Sequence, residues 1–165
     1  MQNADNAVKV NIGTKIDDKV VLAERQGKLS KKTAASFTGS QYLTVTSTEE
    51  ITTYRTFGGS AKLNGQYVTT ETGLSRQELA VYPKWSSTQF EAEIVIPKGT
   101  QFNLGFVEHQ PANKPYAKYR GGADQVYLEK GWDYEHWVKS VTDKKTGIKY
   151  SVNEFKQKFP DLIYR

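Results

Sequence analysis

The feature that most constrains this chain is a series of short runs in its middle, in which apolar and polar residues alternate. A period of two places the apolar side chains on one face of a β-strand. In Phe90–Ile96, apolar Phe90, Ala92 and Ile94 share one face, and the following Pro97-Lys-Gly-Thr100 favours a turn. The runs predict strands over residues 41–46, 52–57, 66–70, 90–96, 101–107 and, after a double glycine, 125–129.

Three other segments have the residue types of helices. Residues 17–28 contain Val20, Val21 and Ala23 and stop near Gly27, and residues 74–82 are rich in helix formers and end before Pro83. Residues 152–159 precede a proline that cannot continue a helix. These patterns predict an α+β fold with a mostly antiparallel central sheet, an N-terminal helical segment and a C-terminal helix.

A chain of 165 residues is long enough to bury one core, so a single globular unit is expected. Within it, residues 1–53 are interpreted as a polar leader and a helical segment packed on the main domain. Residues 54–165 then form the main domain.

Composition excludes several kinds of chemistry. The chain has no cysteine, so disulfides, thiolate metal sites and a cysteine nucleophile are ruled out. Its two histidines, His109 and His136, lack partners at metal-site spacing, and no glycine loop of a phosphate-binding type occurs. No apolar run approaches the roughly 18 residues that span a bilayer. We therefore expect no metal, no cofactor and no membrane association.

The net charge of +5 raises the question of nucleic-acid binding. Most of the excess lies in residues 108–165, which carry 11 basic and 8 acidic residues. The acidic residues interrupt the basic ones, which favours a solvated mixed face over a continuous phosphate-binding stripe.

An arginine stands before a glycine pair in Tyr54-Arg-Thr-Phe-Gly-Gly59. Glycine lets the backbone approach a ligand closely, so Gly58 is a candidate binding position. Arg55 has a forked guanidinium that suits a phosphate, and Arg76 offers a second. Two surface arginines beside a plain hairpin turn remain the alternative interpretation.

A second glycine pair opens Gly121-Gly-Ala-Asp-Gln-Val-Tyr-Leu128. Polar residues at the start of a strand face the same ligand that the preceding glycine loop contacts. Gln125 and Gly122 are therefore candidate site residues. An ordinary strand residue is the alternative for Gln125. The histidines are interpreted as packed or surface residues, and a catalytic role is left open for each.

The order of these motifs resembles the C-terminal NAD glycohydrolase toxins related to the tuberculosis necrotizing toxin and to toxin domains of contact-dependent inhibition systems. The shared order is an arginine strand, a Gly-x-Tyr-Val-Thr-Thr strand, an arginine segment ending in proline, a hairpin, and Gly-Gly-x-x-Gln. It covers residues 54–128. The resemblance implies an ADP-ribosyltransferase-like sheet. One departure is Ala123, where the family usually has a third glycine.

The resemblance also implies roles for individual residues. Arg55 matches the first-strand arginine, Arg76 the arginine after the second strand, and Gln125 the catalytic glutamine. Tyr67 and Thr69 fall on the strand that lines the nicotinamide pocket. The implied activity is cleavage of the nicotinamide–ribose bond of NAD, with NAD as substrate, by an NAD glycohydrolase or ADP-ribosyl cyclase.

Gln125 can bond a ribose hydroxyl but cannot act as a base, which favours water attack or internal cyclisation over transfer to a protein. Two alternatives stay open. One is a metal-independent ribonuclease toxin that cleaves tRNA and binds RNA through the basic, aromatic tail. The other is a non-enzymatic module that recognises a protein or glycan through exposed tyrosines.

The resemblance further implies how the domain is used. Such a toxin is secreted or delivered as part of a larger effector and acts in the cytoplasm of the target cell. Its producer needs a cognate immunity protein, and an acidic one would complement the positive surface.

Overall fold

The computed structural model describes residues 7–25, 27–110 and 119–164. Within these ranges the chain forms nine strands and three short α-helices. The strands are β1 Val20–Arg25, β2 Phe37–Ser47, β3 Ile51–Phe57, β4 Tyr67–Val68, β5 Phe90–Ile96, β6 Gln101–Val107, β7 Asp124–Tyr127, β8 Val138–Asp143 and β9 Lys149–Tyr150. The helices are α1 Lys31–Ala34, α2 Tyr134–Trp137 and α3 Val152–Lys158.

The strands form two antiparallel sheets. One has five strands in the order β1-β2-β6-β7-β4, and the other has four in the order β3-β5-β8-β9. The main core takes residues from both sheets, including Val45, Leu104 and Val126 from the first and Ile94 and Val141 from the second. The inner faces of the sheets therefore share one core, and the predicted α+β class with a mostly antiparallel sheet is confirmed.

The strands with the strongest alternation match the sequence closely. The predicted runs over 90–96 and 101–107 coincide with β5 and β6. The C-terminal helix is also confirmed, as α3. Its first turn is held by a capping box between Ser151 and Glu154, and Pro160 follows it.

The N-terminal helix predicted over 17–28 is wrong. Asp17–Lys19 forms one turn of 3-10 helix, and Val20–Arg25 is strand β1, paired with β2. The run Val20-Val21-Leu22 favours an extended strand because β-branched side chains fit a pleated surface. A boundary at residue 53 falls inside β3, and β1 and β2 belong to the same sheet as β6 and β7.

The helix predicted over 74–82 is also wrong. Only single turns form there, with Leu79 N–H donating to Ser75 O and Val81 N–H to Arg76 O. Ala80 has a positive φ of 50°, a conformation that interrupts a right-handed helix. Beyond residue 130, strands β8 and β9 occupy the tail for which the sequence predicted only a final helix.

Candidate functional site

Strands β3, β4 and β7, which carry most of the candidate residues, are neighbours. Tyr54 and Thr69 exchange two backbone hydrogen bonds of 2.8 Å, which joins β3 to the end of β4. On its other side β4 pairs with β7 so that Tyr67 faces Tyr127. Two residues further along that register, Thr69 lies opposite Gln125. The junction of the two sheets therefore brings Thr69 and Gln125 together.

The contact between the next two residues agrees with this register. Thr70 follows Thr69, and Asp124 precedes Gln125. The Thr70 hydroxyl donates to Asp124 Oδ2 at 2.5 Å, and the backbone N–H of Lys15 donates to the same oxygen at 2.8 Å. The pairing of β4 with β7 thus continues through side chains beyond the last backbone pair, Val68 with Val126.

The same register extends across the second sheet and defines a polar row of four residues. Glu93 on β5 faces Tyr54 on β3, Tyr54 faces Thr69, and Thr69 faces Gln125. Adjacent strands lie about 4.8 Å apart, so each member is next to the following one. The polar row points away from the main core, because the residues that alternate with it on β4, β5 and β7 belong to that core: Val68, Ile94 and Val126.

Thr69 is the most unusual member of the polar row. The residue is only 4% exposed, and its Oγ1 is buried without a hydrogen-bond partner in the part of the chain that the structure describes. A buried hydroxyl left unpaired costs about 1–3 kcal/mol, so native structures rarely keep one without a reason. A polar group of a bound ligand would provide the missing partner.

Gln125 is held by the segment that leads into β2. Its Nε2 donates to the backbone O of Ser36 at 3.2 Å and to Ser36 Oγ at 3.0 Å. A backbone carbonyl can only accept, so the nitrogen of the amide must face Ser36. This orientation leaves Oε1 of Gln125 as the group that can accept a hydrogen bond from a ligand.

Tyr67 lies beside this pair on the same face. Its ring contacts that of Tyr127 at 4.9 Å between centroids, and its side chain is partly open to solvent. The structure therefore brings three predicted residues, Tyr67, Thr69 and Gln125, to one face of the sheet.

Arg55 alternates with Tyr54 and so points to the opposite, core-facing side of β3. It is buried, its Nε donates to Lys62 O at 2.8 Å, and its Nη1 donates to Tyr67 O at 2.9 Å. The guanidinium thus ties β3 to the loop that leads into β4. Its assignment to a phosphate stays a prediction.

Gly65 gives a direct test of the Arg55 position. A Cβ at residue 65 would lie 2.0 Å from Nη2 of Arg55, far inside contact distance. We expect Gly65→Ala to lower the melting temperature by several degrees, because Arg55 has to leave its carbonyl partners or the loop has to move. Thermal unfolding measures this, with the exposed Ser60→Ala in the same loop as control. An unchanged melting temperature would contradict the packing of Arg55 on Gly65.

Arg76 also binds backbone carbonyls. Its Nη1 donates to Ser86 O at 2.9 Å and to Val81 O at 3.2 Å, and its Nη2 donates to Thr88 Oγ1 at 3.2 Å. These bonds close residues 76–88 into a compact loop, the Arg76 loop. Arg76 is not brought to the polar row by any contact among the described residues, and its role at a pyrophosphate stays a prediction.

The two candidate glycines mark where loops meet. Gly58 has a φ of 140°, and a Cβ there would lie 2.1 Å from Ser87 Oγ, so the Arg76 loop packs directly on it. Gly122 is exposed with a φ of 85° and has open space at its Cβ position. Its neighbour Gly121 donates its N–H to Gln77 O at 3.1 Å, which connects the double glycine to the Arg76 loop.

Sequence reasoning missed two members of the polar row, Tyr54 and Glu93. Burial raises the pKa of the Tyr54 hydroxyl, and the negative charges of Glu93 and Glu91 raise it further, so Tyr54 remains a neutral hydrogen-bonding group. Glu91 is fixed by Thr72 Oγ1 at 2.5 Å and by the N–H of Gly73 at 2.9 Å. Tyr54 could have been noticed in the sequence because it directly precedes Arg55. Glu93 could not, because nothing in the sequence shows which residue it faces.

The histidines lie at the surface. His109 Nδ1 is 2.8 Å from Glu108 Oε1, and His136 Nδ1 is 2.8 Å from Asp133 Oδ2. Their side chains are 72% and 84% exposed. Neither contacts the polar row among the described residues.

A cavity of about 460 Å³ lies elsewhere, between the β5–β6 turn at residues 99–101 and residues 128–132, with Trp137 beside it. None of the candidate residues lines it. Within residues 7–25, 27–110 and 119–164, no cluster of three histidine or acidic side chains could hold a metal ion. In the same ranges no helix has the length and apolar character needed to cross a membrane.

Comparisons of the chain with protein-family models, with curated proteins and with solved structures found no match.

Proposed function

We propose that this domain cleaves the nicotinamide–ribose bond of NAD, as an NAD glycohydrolase or ADP-ribosyl cyclase with an ADP-ribosyltransferase-like sheet. The observation that carries the proposal is the pairing of Thr69 with Gln125 at the junction of the two sheets, where the buried Thr69 hydroxyl has no hydrogen-bond partner among the described residues. The motif order supports it as well, because the strands of Arg55, Thr69 and Gln125 are direct neighbours.

The proposed chemistry needs positioning and charge more than proton transfer. Nicotinamide leaves as a neutral group from a cationic precursor, so no acid has to protonate it. Positive charge then develops on the ribose, and groups fixed in advance stabilise such charge most effectively. Gln125 Oε1 would accept a hydrogen bond from a ribose hydroxyl, and the carboxylate of Glu93 would contribute negative charge on the same face.

The amide of Gln125 also limits the outcome. An amide cannot take a proton from an attacking group, so transfer to a protein side chain is disfavoured relative to hydrolysis or cyclisation. Thr69 and Tyr67 would contact the nicotinamide half, and Arg76, Gly58 and Gly122 would lie along the remainder of the ligand. Arg55 would support β3 and β4 from the core side of the sheet. NAD is the substrate in this scheme, and no other cofactor is required.

As part of the same proposal, the domain is the toxic portion of a larger, secreted or delivered effector that depletes NAD in the cytoplasm of a target cell. The partner would be an acidic immunity protein that covers part of the positive surface.

The direct test is to incubate the purified domain with NAD and, separately, with total tRNA. We expect free nicotinamide to appear together with ADP-ribose or its cyclic form, separated by chromatography, and the tRNA to stay intact. Cleavage of tRNA without NAD loss would overturn the proposal. Loss of neither substrate would favour a binding module.

One observation favours the ribonuclease alternative enough to test it. The β8–β9 hairpin presents Lys144, Lys145 and Lys149 to solvent beside exposed Ile148. Three exposed lysines on one hairpin could contact phosphates.

Changing Lys144, Lys145 and Lys149 together to glutamine separates the two functions. Under our proposal NAD cleavage stays within about twofold of wild type, because the hairpin carries none of the polar row. A ribonuclease would instead lose tRNA cleavage, and the slope of its binding against log salt would fall by about one unit for each phosphate contact removed. Salt-dependent tRNA binding, measured next to the NAD assay, distinguishes the outcomes.

A further inference from the structure

Trp85 presents a large apolar surface to solvent at the end of the Arg76 loop. It is 44% exposed, although it belongs to a cluster of three rings. The Tyr82 and Trp85 rings meet edge to face at 4.5 Å, and Tyr82 contacts Tyr119 at 4.8 Å in the same manner. The edge-to-face contacts hold the Trp85 ring in place, and its exposed surface is open to a stacking partner.

The backbone holds this tryptophan firmly. Residues 82–85 form a turn in which Trp85 N–H donates to Tyr82 O at 2.9 Å, and Pro83 occupies the position where its fixed φ favours the turn. Arg76 binds the carbonyls of Val81 and Ser86, one on each side of the turn. The exposed ring is thus part of a preorganised structure.

The cluster also connects to the elements that carry the proposed site. Ser87, two residues after Trp85, donates its N–H to Gly58 O at 3.1 Å. Tyr119 precedes the double glycine that leads to Gln125, and Gly121 bonds to Gln77 on the same loop as Trp85. The segment that precedes the loop lies on the face of the polar row, because Thr72 and Gly73 bind Glu91, two residues from Glu93 on β5.

We propose that Trp85, supported by Tyr82 and Tyr119, is the stacking platform for the adenine of the dinucleotide, an inference that rests on the proposed function. A purine is planar and stacks on an indole face, and exposed Lys84 next to the ring adds positive charge for the attached phosphates. Trp85 acts as a specificity residue, distant from the bond that breaks. It distinguishes NAD from ligands that lack the adenylate half.

The test compares NAD with nicotinamide mononucleotide, which has the same scissile bond but no adenine. For Trp85→Ala we expect the KM for NAD to rise about tenfold with kcat within about threefold, and both constants for the mononucleotide to stay unchanged. Trp85→Phe should recover part of the loss because it restores a ring. Ile148→Ala, a similarly exposed apolar residue on the β8–β9 hairpin, serves as control. Unchanged NAD kinetics in folded Trp85→Ala would overturn the platform and leave the proposed activity standing.

A binding measurement separates failure of the platform from failure of the activity. Adenosine monophosphate should quench tryptophan fluorescence in the wild type and not in Trp85→Phe, since Trp132 is buried and Trp137 is partly buried. If the wild type does not consume NAD but shows this quenching, the stacking role of Trp85 is supported and the proposed NAD cleavage is rejected. If an oligoribonucleotide binds through Trp85 and adenosine monophosphate does not, Trp85 stacks on RNA bases and the adenine assignment is overturned.

Discussion

Replacing Gln125 with alanine is expected to lower the rate of NAD cleavage by about 100-fold or more. Removing one preorganised hydrogen-bonding group from a developing charge has an effect of that size in other enzymes. The side-chain amide of Gln125 is also held in a fixed orientation by its bonds to Ser36. The measurement is nicotinamide release at saturating NAD.

Stability has to be followed in the same variant, because Gln125 is buried. Losing its bond to Ser36 should lower the free energy of unfolding by about 1 kcal/mol, which a domain of this size tolerates. Gln125→Met keeps most of the volume and should be equally inactive. Gln41→Ala, at an exposed position on β2, is the control and should keep full activity. Normal turnover by folded Gln125→Ala would remove the centre of the proposed site.

The second large effect is expected at Arg55, and it concerns folding as well as binding. Arg55→Ala removes the guanidinium hydrogen bonds to the carbonyls of Lys62 and Tyr67, and we expect a loss of about 2–4 kcal/mol in the free energy of unfolding. Arg55→Lys should be nearly as damaging, because one ammonium cannot reproduce two directed bonds from a planar fork. Chemical denaturation measures both variants, with Arg120→Lys at an exposed position as control.

The same variants also test the phosphate assignment. If Arg55 only holds the β3–β4 loop in place, Arg55→Lys should have a lower melting temperature whether or not NAD is present. The KM for NAD is measured at a temperature where this variant is folded. A pyrophosphate fork predicts instead a higher KM for NAD in a protein of normal stability. If the lysine variant matches the wild type in both stability and KM, neither role is correct.

Local patterns were enough to predict several elements. Strands β5 and β6 and helix α3 follow from alternation, a proline-glycine turn and a terminating proline, all of which act over a few residues. Where local signals conflict, the prediction was wrong. In residues 17–28 the helix-like composition lost to the pairing of Val20–Arg25 with β2, a contact between distant parts of the chain.

The candidate site divides in the same way. The sequence alone was sufficient to select Gln125, Thr69 and Tyr67, because glycine pairs and short polar stretches at strand ends are visible as motifs. It was also sufficient to select Arg55 and Arg76, but not to show that their guanidinium groups bind the carbonyls of neighbouring loops.

Only the tertiary structure decided which residues share a face. Thr69 and Gln125 are far apart in the chain, and their pairing depends on the register of β4 against β7. Tyr54 and Glu93 join this pair only through the register of β3 against β4 and that of β5 against β3. A shift of one residue in any register would turn these side chains to the opposite face. The composition and local pattern of this chain therefore determined its class and its candidate site residues, whereas strand register, set by burial of the common core, decided which of them meet.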